Sequence, residues 1–273
     1  MRRSTALPLL LGLFLLGATV ACRDDTVRLT FRPKVGAVYR YEVKVHSRSE
    51  VRLQGERPQV RDDDITLQSE QTVLAAGRDG VRVKVVLGDA SGSVRTFVVR
   101  FDRAAQLQSV ESDATSIPQG GDAGTAAGTF GISEIFPAAA GAPPERRLGP
   151  GERWRIDDRV AVPGAVEPAQ LTGSGRLVEL GIEGGAKVAR LATSSTLRLG
   201  SAQDTAAGER VLLDGRQVTR QRSTHDLSDG ALRTATATTV GTFDLEITPP
   251  LGQPREPVQG TLSVRVTSRT QRL

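Results

Sequence analysis

From Tyr39 to Leu53 the chain alternates with period two. The odd positions read Tyr, Tyr, Val, Val, Ser, Ser, Val, Leu, and the even positions are Arg40, Glu42, Lys44, His46, Arg48, Glu50 and Arg52. Successive side chains of a strand point to opposite faces, so this pattern dictates a β-strand with one buried and one wet face, as in an antiparallel sheet. At about 3.3 Å per residue the strand runs close to 50 Å. The alternation continues in Val81 to Leu87 and returns in Leu262 to Val266, and further strands are expected over Ile65 to Ala76, Phe97 to Phe101, Leu107 to Val110, Val211 to Arg222 and Ala231 to Ile247. The predicted fold is mainly β: long antiparallel strands in two similar halves, forming an open half-barrel or curved sheet.

Local chemistry predicts the pairings. A polar turn from Gln54 to Asp64 would place Leu53 opposite Ile65, Val51 opposite Leu67, Val45 opposite Val73 and Arg48 opposite Glu70. That last pair is favourable across strands. Arg78-Asp79-Gly80 predicts a three-residue hairpin loop. Ser228-Asp229-Gly230 predicts another turn. Residues 113–147 read as a flexible connection, rich at first in Gly, Ala, Ser and Thr. Phe130 to Phe136 could supply one helical turn there, with Pro137 and Pro143-Pro144 preventing a longer helix. The halves on either side span residues 27–112 and 148–273. Arg32 to Glu42 aligns without gaps on Arg147 to Asp157, matching Gly36 to Gly151 and Tyr39 to Trp154. Further on, Val73-Leu74 matches Leu177-Val178, and Asp102 with Leu107 loosely matches Asp226 with Leu232.

The first residues carry a different signal. Met1-Arg2-Arg3 is a positive start, Leu7 to Gly17 is almost wholly apolar, and Arg23-Asp24-Asp25 ends the run. The stretch is short for a membrane span, which needs about 20 apolar residues, and has the order of an export signal. Thr19-Val20-Ala21-Cys22 resembles the lipobox of bacterial lipoproteins. The resemblance implies a signal peptide over 1–21, a diacylglyceryl group on Cys22 and a tether over 22–26. Cys22 is the only cysteine, which excludes an intramolecular disulfide and a cysteine metal site. Lipidation would consume a thiol that is otherwise a liability in an oxidising compartment. Several acyl chains would anchor the chain stably, where one alone is marginal. Arg23 after the cysteine favours the outer membrane, on its periplasmic side or at the cell surface, over the plasma membrane.

Charge and motifs exclude several functions. The formal charge of +5 includes Arg2 and Arg3. The basic residues are interleaved with acids and lack an aromatic platform, so no nucleic-acid partner is expected. His46 reads as a strand-surface residue, and His225, beside Asp226, as a surface or turn residue. Asp62-Asp63-Asp64 lacks the spacing of a calcium loop and reads as a solvated turn. Gly88-Asp89-Ala90-Ser91-Gly92 has the wrong spacing for a nucleophile elbow, and the glycines of 120–124 lack the flanking strand and helix of a phosphate loop. No catalytic residue, metal site or cofactor is predicted.

Two resemblances complete the reading. The entries Lys34-Val35-Gly36-Ala37-Val38-Tyr39 and Gly149-Pro150-Gly151-Glu152-Arg153-Trp154 resemble a family of exported bacterial β proteins that begin a long strand in this way, often twice. Long amphipathic strands behind a lipobox also look like the open half-barrels of periplasmic lipoprotein and lipid carriers. That likeness implies a lipid or lipidated partner cradled by Tyr39, Tyr41, Val43, Val45 and Trp154. The alternative is a surface interaction or structural module that contacts an envelope protein or polymer without a small-molecule ligand.

Overall fold

The computed structural model describes residues 26–90, 92, 94–103, 107–112, 141–160, 169–204, 209–250 and 256–273. The lipobox, Cys22 and the helical turn expected at Phe130–Phe136 lie outside them. All described elements are strands: β1 (Val27–Arg28), β2 (Val38–Leu53), β3 (Gln59–Gly77), β4 (Gly80–Asp89), β5 (Val94–Phe101), β6 (Leu107–Ser112), β7 (Arg147–Leu148), β8 (Arg153–Val160), β9 (Ala169–Glu183), β10 (Ala186–Asp204), β11 (Arg210–Asp226), β12 (Leu232–Thr248) and β13 (Val258–Arg272). Eleven of them form one antiparallel sheet in the order β6-β5-β4-β3-β2-β13-β12-β11-β10-β9-β8. The sheet is open: β6 and β8 are its edges. Each half is a meander, and β2 and β13 join the two halves along a seam running from Tyr41–Arg272 to Leu53–Gly260.

The alternation works as predicted. The odd residues of β2 face a buried inner side, and its even residues face water. Val43, Val83, Val85 and Val99 are almost wholly shielded there. Each such side chain contributes about 1.5–3 kcal/mol by leaving water.

The first hairpin has a different register from the expected one. Val45 faces Ile65, Val43 faces Leu67 and Arg40 faces Glu70. Arg40, not Arg48, pairs with Glu70, at 2.9 Å. The slip from Val73 to Ile65 is an even number of residues, so every apolar side chain keeps its face. Hydrophobic pattern alone does not separate the two registers. The observed one shortens the turn to 54–58 and brings Asp62-Asp63-Asp64 into the ladder, against the expectation of a turn. The following loop is also tighter than expected. Gly77 pairs with Gly80, leaving only Arg78 and Asp79 between them. Gly80 has φ +112, and a Cβ there would lie 2.0 Å from the Phe101 carbonyl oxygen.

The internal repeat is structural. The Gly36 amide donates to Val73 O and the Val73 amide to Ala37 O; the Gly151 amide donates to Leu177 O and the Leu177 amide to Glu152 O. Both glycines are left-handed, with φ of 81° and 84°. Bulges repeat as well. Leu74 is the extra residue between the pairs made by Val73 and Ala75, and Val178 the extra residue between those made by Leu177 and Glu179. Strands β2–β6 thus correspond to β8–β12, and β13 is the added strand that joins the halves.

One end of the sheet is plugged by the segment before β2. Val27 and Leu29 pack into a cluster with Leu148, Trp154, Ile156 and Leu177. Phe31 packs into a second cluster with Tyr39, Tyr41, Val83 and Phe101. The Phe31 amide donates to Arg103 O, and the Arg32 amide to Asp229 O, tying together turns from both halves.

Candidate functional site

The inner face changes character away from the plugged end. Strand registers can be read as transverse rows. Beside the plug lies Val43–Thr270–Ala235–Ser223–Leu191. Two rows further on come Ser47–Val266–Thr239–Thr219–Ser195 and then Ser49–Val264–Gly241–Gln217–Leu197. Beyond them stands Val51–Leu262–Phe243–Gly215–Leu199. A belt of hydroxyls and amides therefore crosses the inner face of the C-terminal half, between the plug and an apolar patch. The buried side chains of Phe243, Leu262, Val264 and Val266 form that patch, flanked by half-buried Val45, Val51, Leu199 and Leu213.

Glycine makes room for the patch. A Cβ at Gly215 or Gly241 would come within 2.8 Å or 2.7 Å of the Phe243 ring, so the ring lies over both glycines. An aromatic covering strand glycines in this way restores packing that they cannot supply themselves. Trp154 covers Gly175 in the same manner, where a Cβ would meet the indole at 2.1 Å.

The belt is partly satisfied. The Thr219 and Thr239 hydroxyls bond each other at 2.9 Å. Gln217 Oε1 and Thr270 Oγ1 are buried without any partner. A buried polar atom left unpaired costs about 1–3 kcal/mol. Gln217 is 7% exposed and stands in the row next to Phe243. An amide carbonyl in that position can accept a hydrogen bond from a group lying along the patch.

The structure brings four of the five sequence-predicted ligand residues together and separates the fifth. Tyr39, Tyr41 and Val43 are buried in the cluster at the plugged end, and Val45 packs against both that cluster and the patch. Trp154 belongs to the other cluster. The Tyr39 hydroxyl donates to Asp229 Oδ2 at 2.9 Å, and the Arg272 guanidinium lies 4.7 Å from its ring centre. Burial and then the Asp229 carboxylate push the Tyr39 hydroxyl well above the ordinary tyrosine range; burial does the same to Tyr41. Gln217 and Phe243 were not singled out by sequence, and Leu262 only as an apolar position of the closing strand. The run Ala235-Thr236-Ala237-Thr238 has too little apolar contrast to mark an inner face, although the glycines spaced around Phe243 were a usable signal.

The histidines fall differently from each other. His46 is on the wet face, with Nδ1 3.1 Å from Asp64 and 3.5 Å from Asp62. His225 corrects the expectation of a surface or turn residue: it is buried. Gly230 O, 3.3 Å from Nδ1, can only accept, so Nδ1 carries the proton and Nε2 accepts from Ser223 Oγ at 3.0 Å. Burial lowers the His225 pKa, opposed by the Gly230 carbonyl. Among the described residues no group of His, Cys, Asp and Glu is placed to hold a metal ion, and no helix is long and apolar enough to cross a membrane.

No protein-family model matches the chain. No curated protein matches it either. Among solved structures, it is similar to a loop L8 deletion mutant of OmpT, an outer membrane protein of Vibrio cholerae. That match is 8% identical, covers 88% of this chain and 100% of the other, and has a TM-score of 0.25. A likeness at that level bears on neither fold nor function.

Proposed function

We propose that this protein is a lipid-anchored, non-enzymatic component of the bacterial cell envelope that holds a lipid or lipidated partner on the inner face of its open sheet. The observation that carries the reading is the apolar patch around Phe243 beside the unpartnered Gln217 carbonyl. An acyl chain suits the patch, and a neighbouring amide or hydroxyl suits the carbonyl. From Gln217 to Val211, six residues along β11, is about 20 Å. One leaflet of a bilayer's hydrocarbon core is about 15 Å thick, so this run of strand is as long as a fatty acyl chain. The anchor is the acylated Cys22, with the outer membrane favoured. The non-enzymatic reading is supported by the Ser223–His225 contact, in which the Gly230 carbonyl, not a carboxylate, takes the Nδ1 proton.

The test has two parts. Intact mass of the protein purified from its membrane should exceed the chain mass from Cys22 by the acyl groups, and Cys22→Ser should abolish that increment. The protein should also carry lipid released by organic extraction and take up a fluorescent phospholipid. Phe243→Asp should reduce both. If the folded protein releases no lipid and takes up no probe, the binding reading is wrong, whatever the mass shows about the anchor.

A further inference from the structure

The wet face carries a second feature, independent of the inner patch. Directly opposed strand residues repeatedly share a positive charge: Lys44 with Arg269 and Arg48 with Arg265 across the seam, Arg198 with Arg216, and Arg153 with Arg176. Like charges directly opposite destabilise a sheet. Two of these pairs, Lys44 with Arg269 and Arg153 with Arg176, share a row. One transverse row reads Lys44–Arg269–Thr236–Arg222–Ala192–Arg176–Arg153, from β2 to the β8 edge. It spans six strand spacings, about 29 Å. The next row is His46–Thr267–Thr238–Arg220–Ser194–Ser174–Arg155, and the third begins Arg48–Arg265–Val240–Val218–Thr196–Thr172.

Over β13, β12, β11, β10 and β9, these three rows hold Arg269, Arg222, Arg176, Arg220 and Arg265 among Ser, Thr, Ala and Val, and no acid. All five arginines are exposed. The ion pairs of this face lie around the field: Lys44 with Glu42, His46 with Asp62 and Asp64, Arg155 with Asp157, Arg190 with Glu179. Thr26, next to the proposed tether, bonds the Arg147 side chain.

We propose that this arginine–hydroxyl field docks on the phosphate-bearing headgroups of an anionic lipid surface. Guanidinium groups suit phosphate oxygens, and the neighbouring hydroxyls add donors. The field has no aromatic side chain on which bases could stack, which disfavours a single-stranded nucleic acid. Its breadth fits a surface rather than one small ion. Attraction of this kind grows with each cation near the lipid plane and is screened by salt.

Full-length Cys22→Ser protein, which lacks the acylation site, serves as common background in vesicle sedimentation. It should bind vesicles of phosphatidylcholine with phosphatidylglycerol more than vesicles of phosphatidylcholine alone, and the difference should fade as salt rises. Arg222→Glu with Arg269→Glu should lower that partition roughly tenfold or more. Arg57→Glu with Arg78→Glu changes net charge equally at exposed turns and should leave it nearly unchanged. If the field variant misfolds by circular dichroism, Arg222→Gln with Arg269→Gln should show an intermediate loss. Equal loss in field and turn variants, no preference for phosphatidylglycerol, or binding to dextran sulfate without binding to vesicles would each overturn the proposal.

Discussion

Phe101 and His225 occupy the same place in the two halves. Each pairs across a bulge, Phe101 with Leu107 and His225 with Leu232, at the end of the strand leading into the last hairpin of the repeat. Both halves bury a ring there, and that of the second half is titratable. The fold keeps that ring neutral by burying it against Gly230 O and Ser223.

Stability should therefore depend on pH near neutrality. The folded-state pKa of His225 is depressed, so between that value and the unfolded value of about 6.5 the unfolded chain binds more protons. Stability is full above about pH 6.5 and falls as pH drops through the window. Urea midpoints at pH 7.5 and pH 5.5 should show this decline. In His225→Phe it should be smaller, although the Gly230 carbonyl then loses its donor at a cost of about 1–3 kcal/mol.

The plugged end should fail in alkali. Tyr39 and Tyr41 have raised pKa values, so the folded state retains protons that the unfolded state begins to release near pH 10. Stability is full below that pH and declines above it. Tyr39→Phe removes the bond to Asp229, should cost about 1–2 kcal/mol at pH 7, and should soften the alkaline decline in a thermal melt.

Trp154 is the only tryptophan, so its fluorescence reports one place. Gly175→Ala drives a methyl group into the indole. Overpacking of this kind costs about 1–3 kcal/mol, and displacement of the ring should shift its emission to the red. Gly77→Ala, with nothing within 4 Å of the new Cβ, should leave the emission unchanged.

Gln217→Leu should separate stability from binding. It removes an unpaired buried carbonyl and puts an apolar side chain in its place, so the free energy of unfolding should rise by about 1 kcal/mol. Retention of a fluorescent lipid bearing an amide or hydroxyl near its acyl chain should fall at the same time. A loss of stability would mean that the amide is satisfied in solution and is not waiting for a ligand.

Strand existence and facing were legible because alternation is strong wherever Val, Leu and Tyr stand against charges. Register was not, since a slip of even length between β2 and β3 preserves every face and the deciding contacts are local, at Arg40–Glu70 and in the 54–58 turn. The repeat could be read from Gly36 and Gly151 because a left-handed turn demands glycine. The inward turn of His225 could not, because the β11 positions that share its face, Gln217, Thr219, Gln221 and Ser223, are polar and give the strand no apolar contrast. The arginine rows were invisible for a related reason. Their members are scattered over five strands and become neighbours only when all the registers are known.

The β2–β13 seam also orders the folding of the chain. Val45 and Ser268 face each other across it, while every other pair of adjacent strands in the sheet is also consecutive in the chain. Both meanders can grow by local hairpins, which close quickly. The seam must wait for its distant partner, and contacts of that separation form slowly. Until then the first half exposes the 16 residues of β2 and the second the 15 of β13 as a bare edge, able to pair with another copy. The last step of folding is thus the one that hides the most adhesive surface, and a chain truncated within β13 would leave it open.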